Sequence, residues 1–234
     1  SYAYDAAGNR IAVTDANGHS TRFEYDNLNR LIQKTDPLNH SWLFAFDAVG
    51  NRVSVTDANG LITLYVYDAV RQLTSIDYPS PDADVTFTYS LTGQRASMTD
   101  GLGTTSWRYD DSDRVTAITD PFGATVSYAY DNAGNRTGIT YPDGKQVTYV
   151  YDAGNRLVSV TDWSGGVTTY SYDAANRLTG ISRPNGVSSI YTYDAADRLI
   201  ALQYGESSYH YSYDAAGNRV QAVEDLDHQI PPAP

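Results

Sequence analysis

The chain has 234 residues, a net charge of −12, 21 tyrosines and no cysteine. Without cysteine there is no disulfide framework and no thiolate metal site, and the acidic balance excludes a nucleic-acid surface built on a basic stripe. No apolar run reaches the roughly 18 residues of a membrane-spanning helix, and the aromatic content excludes a disordered acidic tail.

The first predicted strand holds Tyr2 and Tyr4, an aromatic-x-aromatic step that places both rings on one face. Asp5-Ala-Ala-Gly-Asn9 follows as a turn. Its Asp can accept backbone N–H groups two residues on, and Gly or Asn tolerates positive φ. Arg10 leads into a second strand that ends at a second turn, Asp15–Gly18. Phe23 and Tyr25 then begin the same series again.

Starts recur at Tyr4, Tyr25, Phe46, Tyr67, Tyr89, Tyr109, Tyr130, Tyr151, Tyr172, Tyr193 and Tyr213, a period of 21 with almost no drift. Each has an aromatic two residues before it, from Tyr2 to Tyr211. These two columns hold 22 of the 29 aromatics, so the aromatic excess belongs to the repeat and not to a local site. Two turns per unit predict about 22 strands in an antiparallel sheet with one aromatic face. The other face is small or polar, as at Ser20, Arg22 and Glu24, except where Ile62, Leu64 and Val66 make it apolar.

Further along, the fourth unit is the least regular, with the insertion Tyr78-Pro-Ser-Pro-Asp82, and Ser90 replaces Asp after Tyr89. The arginine column is split. It lies six residues after the aromatic at Arg10, Arg52, Arg95, Arg136 and Arg219, and five after at Arg30, Arg114, Arg156, Arg177 and Arg198. Because the period holds, the expectation is a variable loop length offset by a bulge or a one-residue register change. Residues 1–225 read as a single array with eleven starts, and 226–234 as a Pro-rich C-terminal tail or linker.

Tyr130-Asp-Asn-Ala-Gly-Asn-Arg136 and Tyr213-Asp-Ala-Ala-Gly-Asn-Arg219 resemble the consensus of the YD-repeat, or Rhs-repeat, family nearly letter for letter. The resemblance covers essentially the whole chain. It implies a β-sheet ribbon spiralling into a hollow shell, as in bacterial Rhs polymorphic toxins, the encapsulating component of insecticidal Tc complexes, and teneurins. It further implies a secreted or cell-surface bacterial protein whose partners are flanking repeats or a toxin cargo. Asp36-Pro37 and Asp120-Pro-Phe-Gly123 are similar to the family's core motif but sit in the ordinary second-turn column.

A strip of this length must curl, pack on itself or self-associate through its edges, because so long an aromatic face is unstable in water. Neighbouring rings are expected to form a continuous ladder, worth ~0.5–1.5 kcal/mol per pair. A rival architecture takes two units as one four-stranded blade of a β-propeller-like closed array.

No constellation points to an enzyme, a cofactor or a metal. His19 and His40 share one column of successive repeats, and the Asp residues fit turn chemistry better than a calcium loop. Trp163, Tyr141, Tyr78, Phe122 and Tyr204 fall outside the aromatic columns. Several of them sit at second turns, on one rim of the sheet, which makes them the candidate ligand contacts of a carbohydrate-binding or adhesive surface. Neither nucleic-acid binding nor membrane insertion is expected.

Overall fold

The computed structural model describes residues 1–226. They fall into two units, Ser1–Ala124 and a second from Thr125 onward.

In the first unit the strands are β1 (Tyr2–Tyr4), β2 (Arg10–Thr14), β3 (Ser20–Tyr25), β4 (Leu31–Thr35), β5 (Ser41–Phe46), β6 (Arg52–Thr56), β7 (Ile62–Tyr67), β8 (Leu73–Asp77), β9 (Val85–Tyr89), β10 (Arg95–Asp100), β11 (Gly103–Tyr109) and β12 (Val115–Thr119). The second holds β13 (Thr125–Tyr130), β14 (Arg136–Thr140), β15 (Gln146–Tyr151), β16 (Leu157–Thr161), β17 (Val167–Tyr172), β18 (Leu178–Ser182), β19 (Ser188–Tyr193), β20 (Leu199–Tyr204), β21 (Ser207–Tyr213) and β22 (Arg219–Leu226). The fold is all-β, with the 22 strands expected from two turns per repeat. Beyond Leu226, the Pro-rich tail lies outside the described residues.

Within each unit every strand pairs antiparallel with its neighbours in sequence. The ladder of the first unit is unbroken from β1 to β12. This overturns the propeller alternative, in which the hydrogen-bonded sheet would stop after every fourth strand.

The aromatic two before each start faces an apolar residue of the next strand, except Phe23, which faces Lys34. Phe44 pairs with Val55, Tyr65 with Ile76, Phe87 with Met98 and Tyr149 with Val160. That interposed residue corrects the expectation of a ring-on-ring ladder. Successive rings of one column stand two strands, or about 10 Å, apart, beyond the 4.5–7 Å reach of an aromatic pair. The gap is filled instead by arginine. Arg10 lies over Phe23 (5.3 Å from guanidinium carbon to ring centre), Arg52 over Tyr65 (5.0 Å), Arg95 over Phe87 (4.6 Å) and Arg136 over Tyr149 (5.2 Å).

A β-bulge follows every first turn. Tyr4 pairs with Arg10 but Ala3 with Ala12, leaving Ile11 as the extra residue, and Tyr193 pairs with Leu199 but Thr192 with Ala201. The tyrosine of the next repeat donates its phenol to the carbonyl beside the bulge: Tyr25 to Arg10 (3.1 Å), Tyr89 to Leu73 (2.6 Å), Tyr193 to Leu178 (2.9 Å) and Tyr213 to Leu199 (2.8 Å). The repeat therefore uses tyrosine here for its hydroxyl as well as its ring. Tyr193→Phe is expected to cost about 1 kcal/mol, the worth of one such bond, measured by urea denaturation. Phe46 already fills this column, so the variant keeps its fold.

Each unit is a single layer. Among the described residues only Phe87, Val147 and Ser189 are buried.

Candidate functional site

At ten of the eleven first turns, an Asp follows the aromatic start and caps the loop. Oδ1 of Asp173 accepts the N–H groups of Ala175 (2.9 Å) and Arg177 (3.0 Å). The residue four after the start has positive φ in all eleven repeats, from Gly8 (85°) through Asn29 (60°) and Arg71 (68°) to Gly217 (87°). Where Ser90 replaces Asp, its Oγ accepts the N–H of Gln94 at 3.1 Å.

The split arginine column now has a different explanation from the one expected. Loop length does not vary, and the bulge is present in every repeat. The position five after the start carries Asn or Arg in nine repeats and Gln at 72 and 94, and Asn and Arg reach the same carboxylate oxygen. Asn9 Nδ2 donates to Asp5 Oδ2 at 2.9 Å, and Arg30 Nε to Asp26 Oδ2 at 2.7 Å. With Asn at 9, 51 and 135, arginine moves one place on and covers the ring two before the next start, while Arg219 of the last repeat covers Tyr211. With Arg there, the guanidinium covers the starting ring of the next repeat, as Arg177 does over Tyr193 (4.9 Å) and Arg198 over Tyr213 (4.9 Å). It also links turn to turn: Arg156 Nη1 donates to Asn176 Oδ1 (2.7 Å) and Arg177 Nη1 to Asp197 Oδ1 (2.6 Å). This rim is thus occupied by the repeat's own ion pairs.

The caps depress the carboxyl pKa values. The Arg156 guanidinium, then the Arg156 N–H, hold the Asp152 carboxyl below its ordinary value. At Asp5 the Asn9 side chain is the main cause. At Asp194 it is the N–H of Arg198.

The second-turn rim differs. Its usual turn has Asp at the first position, as at Asp162, whose Oδ1 accepts the N–H groups of Ser164 (2.8 Å) and Gly166 (2.9 Å). Asp36-Pro37 and Asp120–Gly123 are ordinary members of this set, closed by Asn39 N–H to Asp36 O and Gly123 N–H to Asp120 O. The turns at Tyr141, Arg183 and Tyr204 break the column. At Tyr141 and Arg183 the cap moves two residues on: Asp143 Oδ1 accepts the N–H of Lys145 (3.1 Å), and Asn185 Oδ1 that of Val187 (3.1 Å).

All five candidate aromatics lie on this rim. Tyr78 and Phe122 belong to the first unit. Tyr78 opens the loop of the Pro-rich insertion, where its N–H donates to Asp84 Oδ1 at 3.0 Å, and Phe122 projects from its turn with 80% of its surface exposed. The other three belong to the second unit. The structure brings Tyr141 and Trp163 together, ring centres 6.1 Å apart and planes at 86°. Tyr204, at the end of β20, lies under Arg183 (5.3 Å). The sequence reading missed Arg183 and the Asp143–Lys145 pair. The breaks in the Asp column at 141 and 183 were the signal for them.

Among the described residues no group of His, Asp and Glu could hold a metal ion. His19 and His40 each turn Nδ1 to the Asp of their own turn, at 3.1 and 2.9 Å.

The sequence profile of the RHS repeat matches residues 4–40, 46–83, 109–146, 137–167, 151–188, 172–209 and 193–226. The chain belongs to the RHS repeat family. No curated protein matches it. Among solved structures, that of TcdB2-TccC3-TEV is 18% identical and superposes with a TM-score of 0.63, covering 95% of this chain and 15% of that one. TcdB2-TccC3 without its hypervariable C-terminal region is 18% identical with a TM-score of 0.51, covering 94% of this chain and 16% of that one. The RHS repeats here thus share the fold of part of those chains, and span about 15% of the length of the first.

Proposed function

We propose that this RHS array is a non-enzymatic wall segment of a larger, secreted bacterial protein, and that the wall encloses a toxin or other polypeptide cargo. The single observation that supports this is the lack of an interior: each unit is one sheet thick, with three buried residues among those described. A sheet of that kind separates two spaces and does not build a pocket around a reaction. The likeness in fold to the TcdB2-TccC3 structures agrees with this reading.

On this reading residues 1–225 act as one array. The outer edges of β1 and β22 continue the ladder into flanking repeats, or pair with a second copy when those are missing. The rim ion pairs and tyrosine hydroxyls fix the strand spacing, so the wall is stiff without a core.

Limited trypsin digestion of the full-length gene product tests the reading. A polypeptide segment outside the repeats is expected to survive digestion while the array is intact and to be cut once the array is denatured. Equal cleavage of every non-repeat segment in both states would contradict enclosure.

A further inference from the structure

We propose that the hollow between the turns of Tyr141 and Trp163 binds a neutral oligosaccharide, with one pyranose ring seated against the two aromatics. The inference is independent of the enclosed-cargo reading.

Neither aromatic serves the repeat. The position of Trp163 holds Ala16, Pro37, Ala58, Pro121, Pro142 and Pro184 in other turns, and that of Tyr141 holds Asp15, Asp36, Asp57, Asp100, Asp120 and Asp162. Tyrosine at 141 forgoes the Asp cap, and Asp143, two residues on, supplies the side-chain acceptor for Lys145 N–H beside the turn's ordinary backbone bonds. A residue whose presence requires a relocated cap is not there for the turn.

The two rings meet at 86° and form a corner, with 58% of Trp163 and 36% of Tyr141 exposed. Pro142, Asp143 and Lys145 complete a hollow of about 430 Å³, within the usual range for ligand sites. Lys145 Nζ donates to Asp143 Oδ2 at 2.5 Å. Both side chains are about half exposed, which leaves spare ammonium donors beside spare carboxylate acceptors.

A pyranose presents an apolar C–H face bordered by neighbouring hydroxyls. An aromatic corner beside an adjacent donor and acceptor matches both parts. A net charge of −12 disfavours polyanionic ligands, whereas a neutral sugar needs no opposite charge. Successive second turns stand about 10 Å apart, two strand spacings, and the next two turns along the rim carry Arg183 over Tyr204. The rim therefore suits a chain of sugars better than a single one.

The experiment titrates the whole chain with chitohexaose, cellohexaose and maltohexaose, read by calorimetry and tryptophan fluorescence, with decaproline as the peptide that aromatic grooves also take. At least one hexasaccharide is expected to bind. Trp163→Ala and Tyr141→Ala are each expected to weaken it on the order of tenfold, while Leu91→Ala, at an exposed first turn, leaves it unchanged. Circular dichroism and Tm confirm that these exposed-turn variants stay folded. No binding at millimolar sugar, binding indifferent to both substitutions, or binding of decaproline alone would overturn the proposal.

Discussion

Phe87→Ala is expected to destabilise the first unit by about 3 kcal/mol, the largest loss from any single ring in the array. Phe87 is one of the two buried apolar residues among those described, with 8% of its surface exposed. It pairs with Met98, and Arg95 covers its ring at 4.6 Å. Truncation removes the ring's contacts and uncovers Met98 and the Arg95 stem together. A single-layer sheet has no second layer to collapse into the space. Guanidinium denaturation followed at Trp42 and Trp107, both in the first unit, measures the effect against Phe122→Ala. That exposed turn residue is expected to change stability by less than about 0.5 kcal/mol. Equal midpoints for the two variants would show that the aromatic columns do not stabilise the sheet.

Acidification is expected to unfold the chain through its turn caps. Thirteen aspartates, among them Asp5, Asp26, Asp47, Asp110, Asp131, Asp152, Asp173, Asp194 and Asp214 of the first turns, have carboxyl pKa values below their ordinary value. At Asp110 and Asp131 the main cause is the side chain four residues on, Arg114 or Asn135. At Asp26 it is the backbone N–H of Arg30. At Asp47 burial is the largest influence and opposes the shift, and the N–H and side chain of Asn51 together outweigh it. A depressed folded pKa means that the unfolded chain takes up protons first as pH falls. The stabilisation is therefore complete above the unfolded value of about 3.9 and is lost as pH drops through the lower folded values. Each exposed cap contributes little alone, but the repeat places the same device in nearly every hairpin, so the losses add. Circular dichroism from pH 6 down to pH 2 is expected to show a steep loss of sheet signal below about pH 4, with no change above pH 5. Asn in place of Asp at positions 152, 173 and 194 should flatten that dependence, because amides do not titrate there. A transition centred near pH 6 would instead implicate histidine and contradict the cap account.

Much of this was legible from residue positions. Period-2 aromatics and two turn signals per unit gave the strand number, and Gly and Asn in the turns marked most of the places where φ turns positive, though not Arg71, Asp113 or Asp197. What the sequence hid was geometry across strands. The two arginine spacings read as a change in loop length, yet Asn9 and Arg30 occupy equivalent places and reach equivalent carboxylates. Sequence distance counts residues and is blind to which of them faces the Asp. Likewise the aromatic columns suggested rings in contact, but antiparallel pairing inserts Val55 or Ile76 between successive rings. The meeting of Tyr141 with Trp163 could not be read either, because their 22-residue separation becomes adjacency only once each hairpin returns to the same rim.

The central claim is that each unit is one sheet thick, with no core among the described residues. Small-angle X-ray scattering with in-line light scattering on the purified chain tests it most directly. A compact monomer of 234 residues would have a radius of gyration of about 17.5 Å. The account expects a clearly larger value for a monomer, or association through the free strand edges. A monomer at the compact value would mean that the repeats fold back to bury one another's faces, and would contradict it.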